Sequence, residues 1–140
     1  MRVRLLFALY AVSAAAAGCD GYGGTSPIFG TTPGSSAKLA FTVQPTTVKT
    51  GAAITPSVQV SVQSATGTTI PTASNNITID ITSGTGTNGA LLSGTKTVTA
   101  VNGIATFPNL AVDRSGVGFT LTATAVGAAS ATSSPFTVNP

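Results

Sequence analysis

The sequence predicts an all-β domain, an antiparallel β-sandwich of about seven strands, and three observations predict it. Threonine fills 25 of the 140 positions, and a chain rich in Thr and Val favours strands over helices. Apolar residues recur at every second position in short runs, the period of a strand with one buried face. The 16 Gly and 8 Pro interrupt those runs about every ten residues, as turn formers do.

The elements follow in order from Lys38. Leu39, Phe41 and Val43 alternate with Ala40, Thr42 and Gln44 until Pro45 stops the run. Val58, Val60 and Val62 alternate with Ser57, Gln59, Ser61 and Gln63, and Gly67 lies in the turn that follows. Ile77, Ile79 and Ile81 alternate with Thr78, Asp80 and Thr82 ahead of Gly84, Gly86 and Gly89. Phe119, Leu121 and Ala123 alternate with Thr120, Thr122 and Thr124, and Phe136 and Val138 flank Thr137. One apolar and one hydroxyl- or amide-bearing face describes a sheet with a wet side.

Val101-Asn102-Gly103-Ile104 is the sharpest local signal. Asn-Gly between strand-like runs marks a two-residue hairpin, because a type I′ turn needs positive φ at both central residues. That turn sets Val101 opposite Ile104, Ala100 opposite Ala105, Thr99 opposite Thr106 and Val98 opposite Phe107. Val98, Ala100, Ala105 and Phe107 then share the inner face, and Val101 and Ile104 sit at a wet tip. The expected core is Leu39, Phe41, Val43, Val58, Val60, Val62, Ile77, Ile79, Ile81, Leu92, Val98, Phe107, Leu110, Phe119, Leu121, Phe136 and Val138. Strand number and spacing fit an immunoglobulin-type sandwich, with a small barrel as the rival.

The first residues give an address. Arg2 and Arg4 precede Leu5–Ala17, thirteen residues without a charge, the order of a secretory signal peptide. As a helix that stretch rises about 20 Å, short of a roughly 30 Å hydrocarbon core. The sole Cys follows in Ala16-Ala17-Gly18-Cys19. This resembles the lipobox of bacterial lipoproteins, with Ala16 where Leu is usual. The resemblance implies cleavage between Gly18 and Cys19 and lipid on Cys19. The alternative is an ordinary signal peptide cut nearby, leaving a free thiol. Asp20 resembles an inner-membrane retention signal whose meaning depends on lineage, so outer membrane, periplasmic face of the inner membrane and cell surface stay open.

The domain plan is therefore residues 1–18 as signal peptide, 19–37 as lipidated Cys and tether, and 38–140 as one sandwich. Thirteen of the eighteen residues Asp20–Ala37 are Gly, Pro, Ser or Thr, a flexible composition spanning roughly 25 Å. Tyr22 and Phe29 read as isolated aromatics in it.

Composition excludes several function classes. The chain has no His and three acidic residues, Asp20, Asp80 and Asp113, which leaves general acid/base chemistry almost no groups and a Zn site too few ligands. The net charge of +3 falls to +1 without Arg2 and Arg4 (four cations against three Asp). That is too little for a nucleic-acid footprint. Asp80, between apolar neighbours, should face solvent, and Asp113-Arg114 should form a solvated turn with an Asx-type backbone bond. Lys38, Asp80 and Asn139 invite an isopeptide cross-link, but strand-end positions argue against the burial that would activate Lys38. Asn76-Ile77-Thr78 matches the glycosylation sequon, read as chance in a bacterial lipoprotein.

Lys38-Leu39-Ala40-Phe41-Thr42-Val43-Gln44-Pro45, Val60-Ser61-Val62-Gln63, Leu92-Ser93-Gly94, Val101–Phe107, Asn109-Leu110 and Gly118–Ala123 recur in the order of a bacterial Ig-like (Big) domain repeat. The chain resembles one from about Lys38 to Val138. The resemblance implies an Ig-like sandwich of bacterial surface proteins, adhesins among them, with no catalysis and no cofactor. Phe119 stands where Tyr is usual, which keeps the packing and loses a hydroxyl bond worth about 1 kcal/mol. Ser64-Ala65-Thr66-Gly67 lacks the carboxylate that a calcium loop would need. Such repeats usually come in tandem, and the ending Val138-Asn139-Pro140 resembles an inter-repeat joint, which implies a fragment of a multi-repeat adhesin. The expected function is a non-enzymatic envelope lipoprotein displaying one structural, spacer or adhesive module, in contact with the membrane through lipid and with a partner through Ser83–Gly89 or a strand edge. The alternative is a glycan- or metal-binding module.

Overall fold

The alternating runs become strands that pair almost entirely antiparallel. The computed structural model describes residues 36–140. Gly18, Cys19, Asp20, Tyr22, Phe29 and nearly all of the expected tether lie outside them. The strands are β1 (Ala37–Val43), β2 (Val48–Lys49), β3 (Val58–Gln63), β4 (Asn76–Ile81), β5 (Leu92–Ser93) and β6 (Thr97–Thr99), then β7 (Ile104–Phe107), β8 (Ala111–Val112), β9 (Gly116–Phe119), β10 (Leu121–Ala125), β11 (Ala128–Thr132) and β12 (Phe136–Asn139). Twelve segments stand where about seven were expected, because several strands step from one hydrogen-bonded group to another.

Seven strands pair in the order β6-β4-β10-β11-β1-β3-β7, and β2-β12-β9 and β5-β8 pair separately. β1 runs antiparallel to β3 over five residue pairs but meets β11 in parallel through only Ala37–Ala128 and Lys38–Ala129. There the order folds over, so that β7-β3-β1 faces β6-β4-β10-β11. Their inward residues, Val58, Val60 and Phe107 from one layer and Ile77, Ile79 and Leu121 from the other, form one core cluster. The chain is an all-β antiparallel sandwich.

Three steps lie side by side. β1 gives way to β2 across Gln44–Thr47, β9 to β10 at Thr120, and β11 to β12 across Ser133–Pro135. Gln44 Oε1 accepts the Ser134 N–H at 2.9 Å, and buried Ser133 accepts the Leu121 N–H on its Oγ at 2.9 Å. Side chains thus replace ladder bonds where the backbone leaves one sheet for the next, as buried amides require.

Of the expected core, Leu39, the three Val of β3, Ile77, Ile79, Leu92, Phe107, Leu110, Phe119, Leu121, Phe136 and Val138 are buried. Phe41, Val43, Ile81 and Val98 are half-buried, lying toward strand ends or on the edge strand β6. Ile54 and Val112, both fully buried, were not expected, since neither belongs to an alternating run. On β3 the expected wet face is partly closed: Ser61 is buried, and its Oγ accepts from Gln63 Nε2 at 3.0 Å.

The hairpin expectation is half corrected. Asn102 and Gly103 have φ of 52° and 77°, and Val101 and Ile104 exchange both backbone bonds at 2.9 and 3.0 Å. Beyond that pair the strands part. β6 pairs with β4 (Val98 opposite Ile77) and β7 with β3 (Phe107 opposite Val58), so Thr99 does not face Thr106 and Val98 does not face Phe107. Packing at the tip accounts for the parting. Gly103 O accepts the Val62 N–H at 2.8 Å, and a Cβ on Gly103 would lie 2.3 Å from Ile70 O, so that arm is drawn onto β3. Ala100 N–H is drawn the other way, to Asn75 O at 2.9 Å. The inner face is as expected, with Ala100, Ala105 and Phe107 buried. β6 and β7 are the two ends of the seven-strand order, and this turn links them through the single bridge Val101–Ile104.

Register assigns every strand end to a pole. Ala37, Gln63, Asn76, Thr99, Ile104, Ala125 and Ala128 end or begin their strands at one pole. The loops 82–91 and 113–115 and the last residues of β12 gather at the other. β1 enters at the first pole and β12 ends at the second.

Candidate functional site

The far pole carries a surface concavity of about 400 Å³, lined by Asp80 through Ala90. It includes the whole Ser83–Gly89 stretch expected to make contacts. The segment leaves β4 at Ile81 and is shaped by local bonds, Thr85 N–H to Thr82 O at 3.1 Å and Ala90 N–H to Thr87 O at 3.1 Å. Gly86 is required: φ is 65°, and a Cβ there would stand 2.2 Å from the Phe119 ring. Phe119 is fully buried beneath it, 5.9 Å from Phe136 between ring centroids.

Threonines tie this loop to the strand across from it. Thr82 N–H donates to Thr120 O at 2.8 Å, Thr85 Oγ1 accepts the Thr120 N–H at 3.2 Å, and Thr87 Oγ1 donates to Ser115 O at 2.5 Å. Asp113 completes the frame by accepting the Leu91 N–H on Oδ1 at 2.7 Å. This corrects the expected local Asx turn, since the bond spans 22 residues. None of these ties had a signal in the sequence. Each joins side chain and backbone of segments far apart along the chain, and neither periodicity nor motif spacing registers such pairs.

Chemically, the concavity offers hydroxyls, amides and a single carboxylate at its rim. Asp80 is exposed as expected, its Oδ2 3.4 Å from Lys96 Nζ and its Oδ1 accepting the Ile81 N–H at 2.8 Å. An exposed pair of this kind contributes about 0–1 kcal/mol. A second, more open hollow of about 520 Å³ is lined by Thr50, Thr87, Asp113, Arg114, Ser115 and Pro140. No group of three or more His, Cys, Asp or Glu converges among the described residues. The two carboxylates at this pole both already accept a backbone N–H. The arrangement can recognise a neutral polar surface by hydrogen bonding.

Lys38 and Asn139 lie at opposite poles, Lys38 opposite Gln63 and Asn139 opposite Lys49, so the described fold does not bring the residues of an isopeptide cross-link together. Asn76 is exposed with its Oδ1 accepting the Thr99 hydroxyl at 2.7 Å. Cys19 and Gly18 lie outside the described residues; among the described residues no helix is long and apolar enough to cross a membrane. Compared with models of known protein families and with curated proteins, the chain matches none.

Proposed function

We propose that this chain is a non-enzymatic lipoprotein of the bacterial cell envelope, anchored by lipid on Cys19 and displaying one Ig-like sandwich of the bacterial Ig-like (Big) type as a spacer or adhesive module. The observation that carries the reading is polar separation: the chain from Cys19 enters β1 at one pole, and the Thr-framed loop 82–91 opens at the other. The loop surface thus lies at the end of the sandwich opposite the start of β1. The two Asp carboxylates of the far pole each accept a backbone N–H, which fits a binding or structural surface. Membrane attachment is tested by detergent phase partition of the full-length protein from bacterial membranes. Intact chain should enter the detergent phase and a Cys19→Ser variant the aqueous phase. Wild-type protein in the aqueous phase would overturn the anchor.

One observation favours a second reading, a ligand-binding module. The 400 Å³ concavity is lined by hydroxyl and amide groups suited to a glycan. Its test is a melting shift with oligosaccharide, abolished when Ser83→Ala removes a lining hydroxyl. An unchanged melt with glycans leaves the spacer or adhesive reading in place.

A further inference from the structure

Resting on the lipid-anchor reading, we propose that the near pole of the sandwich docks on the lipid surface itself, through the tips of its two tight hairpins, and so sets the domain upright. Val126, at the β10–β11 turn, is 91% exposed, and Val101, beside Asn102-Gly103, is 70% exposed. Ile104 adds a third partly exposed aliphatic group. The two tips belong to one surface, because Asn75 joins them: its Nδ2 donates to Val126 O at 3.0 Å, and its own O accepts the Ala100 N–H at 2.9 Å.

Two further observations choose lipid as the occupant. The chain leads there: β1 begins at Ala37, paired with Ala128 two residues beyond Val126, so the segment running back to Cys19 starts beside these tips. Charge agrees. Of the six charged residues from Lys38 onward, Lys49, Asp80, Lys96, Asp113 and Arg114 lie in the far half, and only Lys38 lies near the tips. Lys38 Nζ is 4.0 Å from the Cβ position of Gly67, in the adjoining turn. The near pole thus presents aliphatic groups and one cation without a carboxylate among the described residues, the combination that settles on an anionic interface. The far pole has exposed aliphatics too, Leu91 and Val117, but Leu91 is flanked by Asp113, bonded to its N–H. Held by a tether, the tips need only weak affinity, because the anchor keeps their local concentration high.

The test uses full-length lipidated protein from bacterial membranes, reconstituted in vesicles of phosphatidylethanolamine and phosphatidylglycerol carrying a nitroxide lipid. Lipidation blocks the Cys19 thiol, so an engineered cysteine, Ala65→Cys near the tips or Asn88→Cys in the far loop, takes the only fluorophore. Quenching should be strong at 65 and weak at 88. Val101→Asp with Val126→Asp should lower quenching at 65 about tenfold, with the melting temperature held, since both side chains are exposed. Equal quenching at the two sites, or quenching at 65 indifferent to the double Asp variant, overturns the docking while leaving the anchor standing. A second fluorophore on Cys19, read by mass, overturns the anchor and the docking with it.

Discussion

The two poles of this sandwich present differently built loops. At the near pole, beside the longer connection 64–75, two turns are short: Asn102-Gly103 and Val126-Gly127 each reverse the chain in two residues, and their aliphatic neighbours are left in solvent. At the far pole the 82–91 connection is long, and its shape depends on Thr82, Thr85, Thr87 and Asp113 bonding to distant backbone. Short turns are specified by the conformations that Asn and Gly allow. Long ones are specified only by what they touch. The abundance of threonine therefore has two meanings in one chain: β-branched filler on strand faces, and hydrogen-bonding ties at the loop pole.

Breaking the core beneath both poles should have the largest effect. Phe107→Ala removes a fully buried ring opposite Val58 and should cost about 3–5 kcal/mol, read as a lowered denaturant midpoint with both poles lost together. Gly86→Ala is aimed at the far pole alone. Its Cβ would meet the Phe119 ring from a left-handed backbone, at a cost of about 2–4 kcal/mol. Amide exchange should accelerate first at Thr120 and Leu91, leaving the amides of Val101 and Ile104 protected. Gly103→Ala is its counterpart at the near pole, blocked by Ile70 O, and should expose the Val62 amide first at a similar cost. If the two glycine variants give the same exchange pattern, the poles are one cooperative unit and the contrast drawn between them fails.

Smaller changes sharpen the same contrast. Asp113→Ala leaves the Leu91 N–H without its acceptor and should cost about 1 kcal/mol, with faster exchange confined to residues near Leu91. Asp80→Ala breaks two exposed contacts, the pair with Lys96 and the bond from the Ile81 N–H, and should move stability by no more than about 0.5 kcal/mol, in thermal melts at low and high salt alike.

Legibility followed the same division. β1, β3, β4 and β12 were readable because each carries large apolar residues at every second position, and β10 because Leu121 and Ala123 continue the alternation begun by Phe119 of β9. β11 was not: Ala128-Ala129-Ser130-Ala131-Thr132 has no large residue for a period to show, although it sits in the middle of the seven-strand order. The turn at Asn102-Gly103 was readable from two residues, whereas the separate partners of its arms were not. Those partners are chosen by Val62, Ile70 and Asn75, 25 or more residues away along the chain. Ser83–Gly89 could be marked as a loop by its glycines, but its threonine and Asp113 ties depend on the folded approach of residues 113–120.

The central claim, a loop pole displayed by a lipid anchor at the other end of the chain, is tested most directly by the intact mass of the full-length product recovered from bacterial membranes, beside a Cys19→Ser variant. The account predicts a mature chain that starts at Cys19 and carries the mass of a diacylglyceryl group, with the variant lacking that mass. A cleaved chain without lipid, its Cys19 thiol free, would contradict it and make this a secreted protein.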